Sequence, residues 1–175
     1  MENKWQSLNS KIIYENPWIE VTEHQVLDPN GNSGIYGKVH YKNRTAAILA
    51  KNSNGELLIV GQHRFPIDEY SWEIPMGGIH PQETVFEAGI RELKEETGWS
   101  AKNWRHVLTV HPSNSITDEE VQIIMCELTV HGSKHLDSTE CIATKLMSPN
   151  ELLNMIKEGS IKDAVTITAI LLDKN

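Results

Sequence analysis

Gly77-Gly78-Ile79-His80-Pro81-Gln82-Glu83-Thr84-Val85-Phe86-Glu87-Ala88-Gly89-Ile90-Arg91-Glu92-Leu93-Lys94-Glu95-Glu96-Thr97-Gly98-Trp99 holds the most strongly marked helix of the chain. Thr84-Val85-Phe86-Glu87 is a capping box, in which the Thr84 hydroxyl and the Glu87 carboxylate each accept a backbone N–H left open by the first turn. The helix is therefore expected to start at Thr84. Gly98 suits the left-handed position just past a helix end, so the helix is expected to stop there. Between these ends Val85, Ala88 and Leu93, with either Phe86 or Ile90, face a core, while Glu92, Glu95 and Glu96 are related by i,i+3 and i,i+4 steps and share one face. Like charges at that spacing disfavour an isolated helix by about 0.2–0.5 kcal/mol per pair. The trio thus requires a compensating cation or full solvation. Three acids alone would mean a solvated face; the residues around them decide otherwise.

Gly77, five residues, Glu83, seven residues, then Arg91-Glu92-Leu93-Lys94-Glu95-Glu96-Thr97-Gly98-Trp99 reproduce the whole Nudix box at every fixed position, on the loop and helix it requires. From this stretch the chain resembles the Nudix hydrolase family, and the resemblance implies cleavage of a nucleoside diphosphate linked to another group. It also implies Mg²⁺ or Mn²⁺ held by Glu92, Glu95 and Glu96, with the backbone carbonyl of Met76 completing the set. All-oxygen ligation is what a hard divalent cation takes. Arg91 and Glu83 resemble the pair that braces the loop below Gly77 against the helix, a structural role that charge balance among four carboxylates also favours.

Working outward, residues 11–27 read as a strand pair, Asp28-Pro29-Asn30-Gly31 as a turn, and Gly34–Tyr41 as a third strand. Thr45–Ala50 and Glu56–Gln62 flank the turn Asn52-Ser53-Asn54-Gly55 as two more. Strands follow near Arg105–Val110 and Val121–Val130, then helices over Pro149–Glu158 and Asp163–Leu172. The expected fold is an α/β/α sandwich with a mixed sheet (residues 44–175), preceded by a small antiparallel β-layer (residues 1–43).

Composition bounds the function. A chain of 175 residues with formal net charge −8 is long enough for a real core and lacks the cationic face a phosphate-backbone binder needs, so nucleic acid is not an expected partner. No stretch approaches the apolar length of a membrane span, and the N-terminus carries no apolar signal segment. The two cysteines, Cys126 and Cys141, have no metal-type spacing and read as reduced thiols of a cytoplasmic protein.

Beyond the box the resemblance is to the ADP-ribose pyrophosphatase and nucleoside diphosphate sugar hydrolase branch. Tyr14-Glu15-Asn16-Pro17-Trp18, Gln62-His63-Arg64, Trp72-Glu73-Ile74-Pro75-Met76-Gly77 and Ser148-Pro149-Asn150-Glu151-Leu152 carry it. It implies hydrolysis of ADP-ribose or GDP-mannose type substrates to a nucleoside monophosphate and a sugar phosphate. It further implies a homodimer with crossed N-terminal strands that supply aromatics to sandwich the base; Trp18 and Tyr36 stand where these are expected, and each reads equally as an ordinary packing residue. Arg64 is expected on phosphate, because a guanidinium offers a bidentate fork; a surface ion pair is the plainer reading. In this branch a general base comes from a loop outside the box, and in the corresponding loop, Gly132–Thr144, the only glutamate is Glu140. Asp118-Glu119-Glu120 is the rival supplier, and otherwise a substrate or second-metal contact through Glu119 and Glu120. A non-catalytic module sensing ADP-ribose-like metabolites is the alternative function, disfavoured by the intact carboxylate run; RNA cap removal is disfavoured by the acidic charge.

Overall fold

The structure, a computed structural model, describes residues 4–134 and 141–173. The chain forms two compact units, Met1–Arg44 with His111–Glu120, and Thr45–Val110 with Val121–Asn175.

In the first unit β1 (Gln6–Glu15), β2 (Ile19–Leu27) and β3 (Ser33–Tyr41) form an antiparallel meander in that order. Its turns are set by side chains that imitate backbone. Asn16 Oδ1 accepts the N–H of Trp18 (2.9 Å) and Ile19 (2.8 Å) around Pro17, and Asp28 Oδ1 accepts those of Asn30 (2.8 Å) and Asn32 (2.9 Å) while Gly31 takes φ 85°. β1 begins at Gln6, earlier than the apolar pattern indicates, because Gln-Ser-Leu-Asn-Ser is polar yet pairs with β2 as far as Leu27. Residues 116–118 run beside β3: the Val39 N–H donates to Ile116 O (2.9 Å) and the Asp118 N–H to Val39 O (3.1 Å).

The second unit is built on a seven-stranded mixed sheet. β10 (Ala143–Met147), β5 (Leu57–Arg64), β4 (Thr45–Lys51), β9 (Val121–His131) and β8 (Trp99–Val110) follow one another across it, with β6 (Glu69–Glu73) on β5 and β7 (Met76–Gly78) on β4. β4 and β9 are parallel; the other pairs are antiparallel. The central strands are apolar without a break because both faces are covered. Alternation along β4 sends Ala47 and Leu49 to a core shared with α2 (Pro149–Lys157) and α3 (Ala164–Leu172), and Ile48 and Ala50 to a core shared with α1 (Val85–Thr97). Each Leu or Ile so enclosed contributes about 1.5–3 kcal/mol. This is an α/β/α sandwich on a mixed sheet.

The helix ends follow the sequence signals. Thr84 Oγ1 accepts the Glu87 N–H (3.2 Å), the Glu87 carboxylate accepts the Thr84 N–H (2.8 Å), and Gly98 sits at φ 75° with its N–H on Lys94 O (2.9 Å). Ala88 and Leu93 are buried, and Val85 and Phe86 pack on the core; Ile90 is 49 % exposed, so Phe86 takes the place the spacing left open. α2 starts on a second capping box, Ser148 with Glu151, and α3 on Asp163. β8 starts at Trp99 rather than near Arg105. Bulges between Trp99 and Ala101 and between Lys102 and Arg105, with Asn103 at φ 55°, break the alternation that would have revealed its first half.

Candidate active site

The loop before α1 is laid on β4: Gly77 pairs with Ala46 and Met76 with Ala47. The glycine bears on the site through close approach rather than through its backbone angles. A Cβ at Gly77 would lie 2.1 Å from the Glu92 carboxylate carbon, so the Glu92 side chain is seated against bare backbone. Arg91 fans out from the same helix. Its Nε and Nη2 fork onto Glu83 (both 2.8 Å), Nη2 also donates to Gly78 O (2.9 Å), and Nη1 donates to Glu92 Oε1 (2.6 Å) and Glu95 Oε2 (3.4 Å). One guanidinium therefore ties the loop to two of the three box acids. Its fork on Glu83, helped by the His80 N–H, holds the Glu83 carboxyl down at about 2, and the same carboxylates raise Arg91 above its usual range. Glu96 is buried at 4 % exposure, whereas Glu95 is the most open of the trio.

A cleft of about 520 Å³ is lined by Arg64, Ile67, Glu69, Glu73, Met76 and Asp163 among others. Arg64 forks onto the buried Glu73 through Nε (3.0 Å) and Nη2. That bond raises the Arg64 pKa against the effect of burial, and Glu96 and Asp163 add to the rise from further off. The cleft thus brings Arg64, Met76 and the electrostatic field of Glu96 together. Sequence reasoning missed Glu73 as a site residue; the available signal was one acid inside the apolar run Trp72-Glu73-Ile74-Pro75.

In the N-terminal unit Tyr36 donates its hydroxyl to Ser115 O (2.5 Å) and meets Trp5 edge to face at 5.3 Å. Both line a cavity of about 390 Å³ with His24, Lys38 and Ile116. Trp18 lies elsewhere on that unit and is 71 % exposed. Asp118 is clamped by Lys38 (2.8 Å), His40 Nδ1 (2.7 Å) and the Tyr41 N–H (2.9 Å). Burial would raise its pKa; these partners outweigh it and hold the carboxyl at about 2, which makes Asp118 a weak proton acceptor. Glu120 stands 3.6 Å from Arg44, and the Glu119 carbonyl lies 2.9 Å from His111 Nδ1. Glu140 lies outside the described residues.

A cation's fit is decided by donor type and seat. Among the described residues no three His, Cys, Asp or Glu side chains converge as a ready cage, since Arg91 Nη1 draws Glu92 and Glu95 toward itself. The donors themselves are right: three carboxylates on one helix face, beside a glycine whose missing Cβ leaves room for one of them. Their oxygen chemistry is of the kind a hard divalent ion takes.

Comparison with known proteins places the chain in a family. Residues 41–169 match the NUDIX domain, and residues 5–39 match the nucleoside diphosphate sugar hydrolase N-terminal domain. A CMP-5'-(N-acetyl-N-hydroxy-3-aminopropyl)phosphonate hydrolase of Streptomyces rubellomurinus is 24 % identical over 96 % of this chain and 81 % of its own. An ADP-ribose pyrophosphatase of Bacillus subtilis is 27 % identical over 94 % and 90 %. The fold is shared with a solved structure of an ADP compounds hydrolase, with a TM-score of 0.87 at 19 % identity, covering 98 % of this chain and 93 % of that one. With the box at 77–99 folded as loop and capped helix and the domain match running through most of the sequence, the chain belongs to the NUDIX family and is a Nudix hydrolase.

Proposed function

We propose that this enzyme hydrolyses the pyrophosphate of nucleoside diphosphate sugars of the ADP-ribose or GDP-mannose type, giving a nucleoside monophosphate and a sugar phosphate, with Mg²⁺ or Mn²⁺ held by Glu92, Glu95, Glu96 and Met76 O. The observation that carries it is the seating of Glu92 on Gly77, with Arg91 tying both to Glu83. A merely solvated acidic face has no reason to press a carboxylate onto a glycine backbone. The Bacillus subtilis relative, named an ADP-ribose pyrophosphatase, and the nucleoside diphosphate sugar hydrolase N-terminal match favour the substrate class.

A divalent cation held by these residues would supply positive charge against the phosphate oxygens and make water easier to deprotonate. The chain's own residues do the rest. Arg91 braces the loop through Nε on Glu83 and Nη2 on Glu83 and Gly78 O, contacts separate from its Nη1 donations to Glu92 and Glu95, so the carboxylates that would hold the cation are not the ones that anchor the loop. Arg64, with Nε and Nη2 on Glu73, presents Nη1 to a phosphate oxygen of substrate in the cleft. Glu140 is the proton acceptor for the attacking water, as a carboxylate not committed to metal, and Glu119 and Glu120 contact substrate.

The functional protein is a cytoplasmic homodimer whose N-terminal strands cross, with Trp18 and Tyr36 on the base. Support comes from Leu8, Ile12, Ile13 and Tyr14, all exposed along β1, an apolar surface that a second copy would cover. A panel of nucleoside diphosphate sugars incubated with the protein and Mg²⁺, read by chromatography of the nucleoside monophosphate, tests the activity. Cleavage of one or more members is expected. Binding of ADP-ribose without cleavage in either Mg²⁺ or Mn²⁺ would instead make the protein a sensing module.

A further inference from the structure

Thr166 stands within the otherwise apolar start of α3, is fully buried, and takes no part in the chemistry above. Its Oγ1 accepts the backbone N–H of Ile74 at 3.0 Å, joining positions 92 residues apart. Ile74 needs this bond. β6 ends at Glu73 and β7 begins at Met76, so the Ile74 N–H lies outside both ladders, in a fully buried position where an unmet donor is costly.

The pinned segment is short and bears weight at both ends. One residue before Ile74, Glu73 holds Arg64 in its fork. One residue after it, the Pro75 carbonyl accepts the Ile48 N–H at 2.8 Å, and Met76 and Gly77 then pair with β4 beneath the Glu92 carboxylate. The helix side is equally fixed, since Asp163 caps α3 by accepting the Thr166 N–H at 2.7 Å and also lines the cleft. Asp163, Thr166 and Ile74 thus form a hydrogen-bonded chain from the start of α3 to the backbone that separates Glu73 from Met76.

We propose that Thr166 is a positioning residue of the hydrolytic site, fixing the Glu73–Gly77 crossing so that the partner of Arg64 and the backbone under Glu92 keep their spacing. This rests on the reading that Met76 O, Glu92, Glu95 and Glu96 hold a divalent cation. Groups hydrogen-bonded directly to metal ligands are worth about 10–100-fold in metal affinity, and Thr166, which acts one step further back through Ile74, is expected to count for less.

The test is Mn²⁺ binding followed by electron paramagnetic resonance of the free ion, with no substrate present, on the intact protein and on Thr166→Val, Thr166→Ser and Ile170→Val. Ile170 is buried in the same core and bonds nothing in the segment, so its variant reports loss of packing alone. Thr166→Val is expected to weaken Mn²⁺ binding by up to about 10-fold, the lower end of the effect of groups bonded directly to ligands, with Thr166→Ser and Ile170→Val near the parent. Should the valine variant fail to fold, Thr166→Ala replaces it under the same expectation. Parental affinity in the variant lacking the hydroxyl, or an equal loss in Ile170→Val, overturns the positioning role and leaves the metal reading intact. No Mn²⁺ binding by the parent removes the metal reading, and this inference with it.

Discussion

Glu92 and Glu96 differ in surroundings although they share a helix face: one is pressed on Gly77 and held by Arg91, the other is buried. Either one changed to Gln keeps shape and loses charge. Both variants are expected to fold, as judged by circular dichroism, and to lose nearly all Mg²⁺-dependent turnover; full turnover by Glu96→Gln would show the metal site misassigned. Glu140→Gln is expected to lower kcat by about 10²–10⁴-fold with KM little changed, the contribution of a positioned base, whereas Glu119→Gln and Glu120→Gln are expected to raise KM. If the Glu119 or Glu120 variant loses kcat and Glu140→Gln does not, the base belongs to the 118–120 segment. Acid titration probes the brace. Glu83 has a folded pKa of about 2 against an ordinary 4.5, so its stabilising effect is complete above the higher value and is lost as pH falls toward the lower one. Urea unfolding of the parent and Glu83→Gln is expected to differ at pH 6 and to converge by pH 2. The box acids were legible because a fixed spacing on one helix places them. The Arg64–Glu73 fork was not, because it forms across the β5–β6 hairpin and depends on strand register.

Elements whose ends are fixed by local hydrogen bonds were the most readable. α1 runs between the Thr84 box and Gly98 as the sequence indicates, and both caps can be tested. Thr84→Ala is expected to cost about 0.5–2 kcal/mol in chemical denaturation, the usual value of an N-cap. Gly98→Ala is expected to cost more than the ordinary loss at a left-handed position, since its Cβ would meet the Gly132 carbonyl oxygen at 2.5 Å, a backbone atom that cannot rotate away. Equal costs would mean that the 98–132 approach is loose. β8 was half hidden by its bulges, and β7, three residues with two glycines, carries no strand propensity and exists because β4 offers a ladder.

At the scale of the whole molecule the layer order was legible, because unbroken apolar runs flanked by amphipathic helices allow few arrangements. Where residues 111–120 pack was not: nothing in Pro112-Ser113-Asn114-Ser115-Ile116 indicates that it will lie along β3. The apolar side chains exposed on β1 lead to the association prediction. Multi-angle light scattering of the intact protein is expected to give twice the chain mass, and Ile12→Glu with Leu8→Glu to give the single mass. A single mass for the intact protein would end the crossed-strand proposal.

The docking of residues 116–118 on β3 imposes an order on biogenesis. β3 is synthesised early, yet the segment that satisfies Val39 on its outer side emerges nearly eighty residues later, after β4 to β8 have been made. On the ribosome the first sheet therefore waits with an open edge while the second unit is being produced, and an open edge is the part of a nascent chain most prone to pair with a stranger. The clamp of Lys38 and His40 on Asp118 then acts as a late latch, closing that edge only once translation has passed position 118.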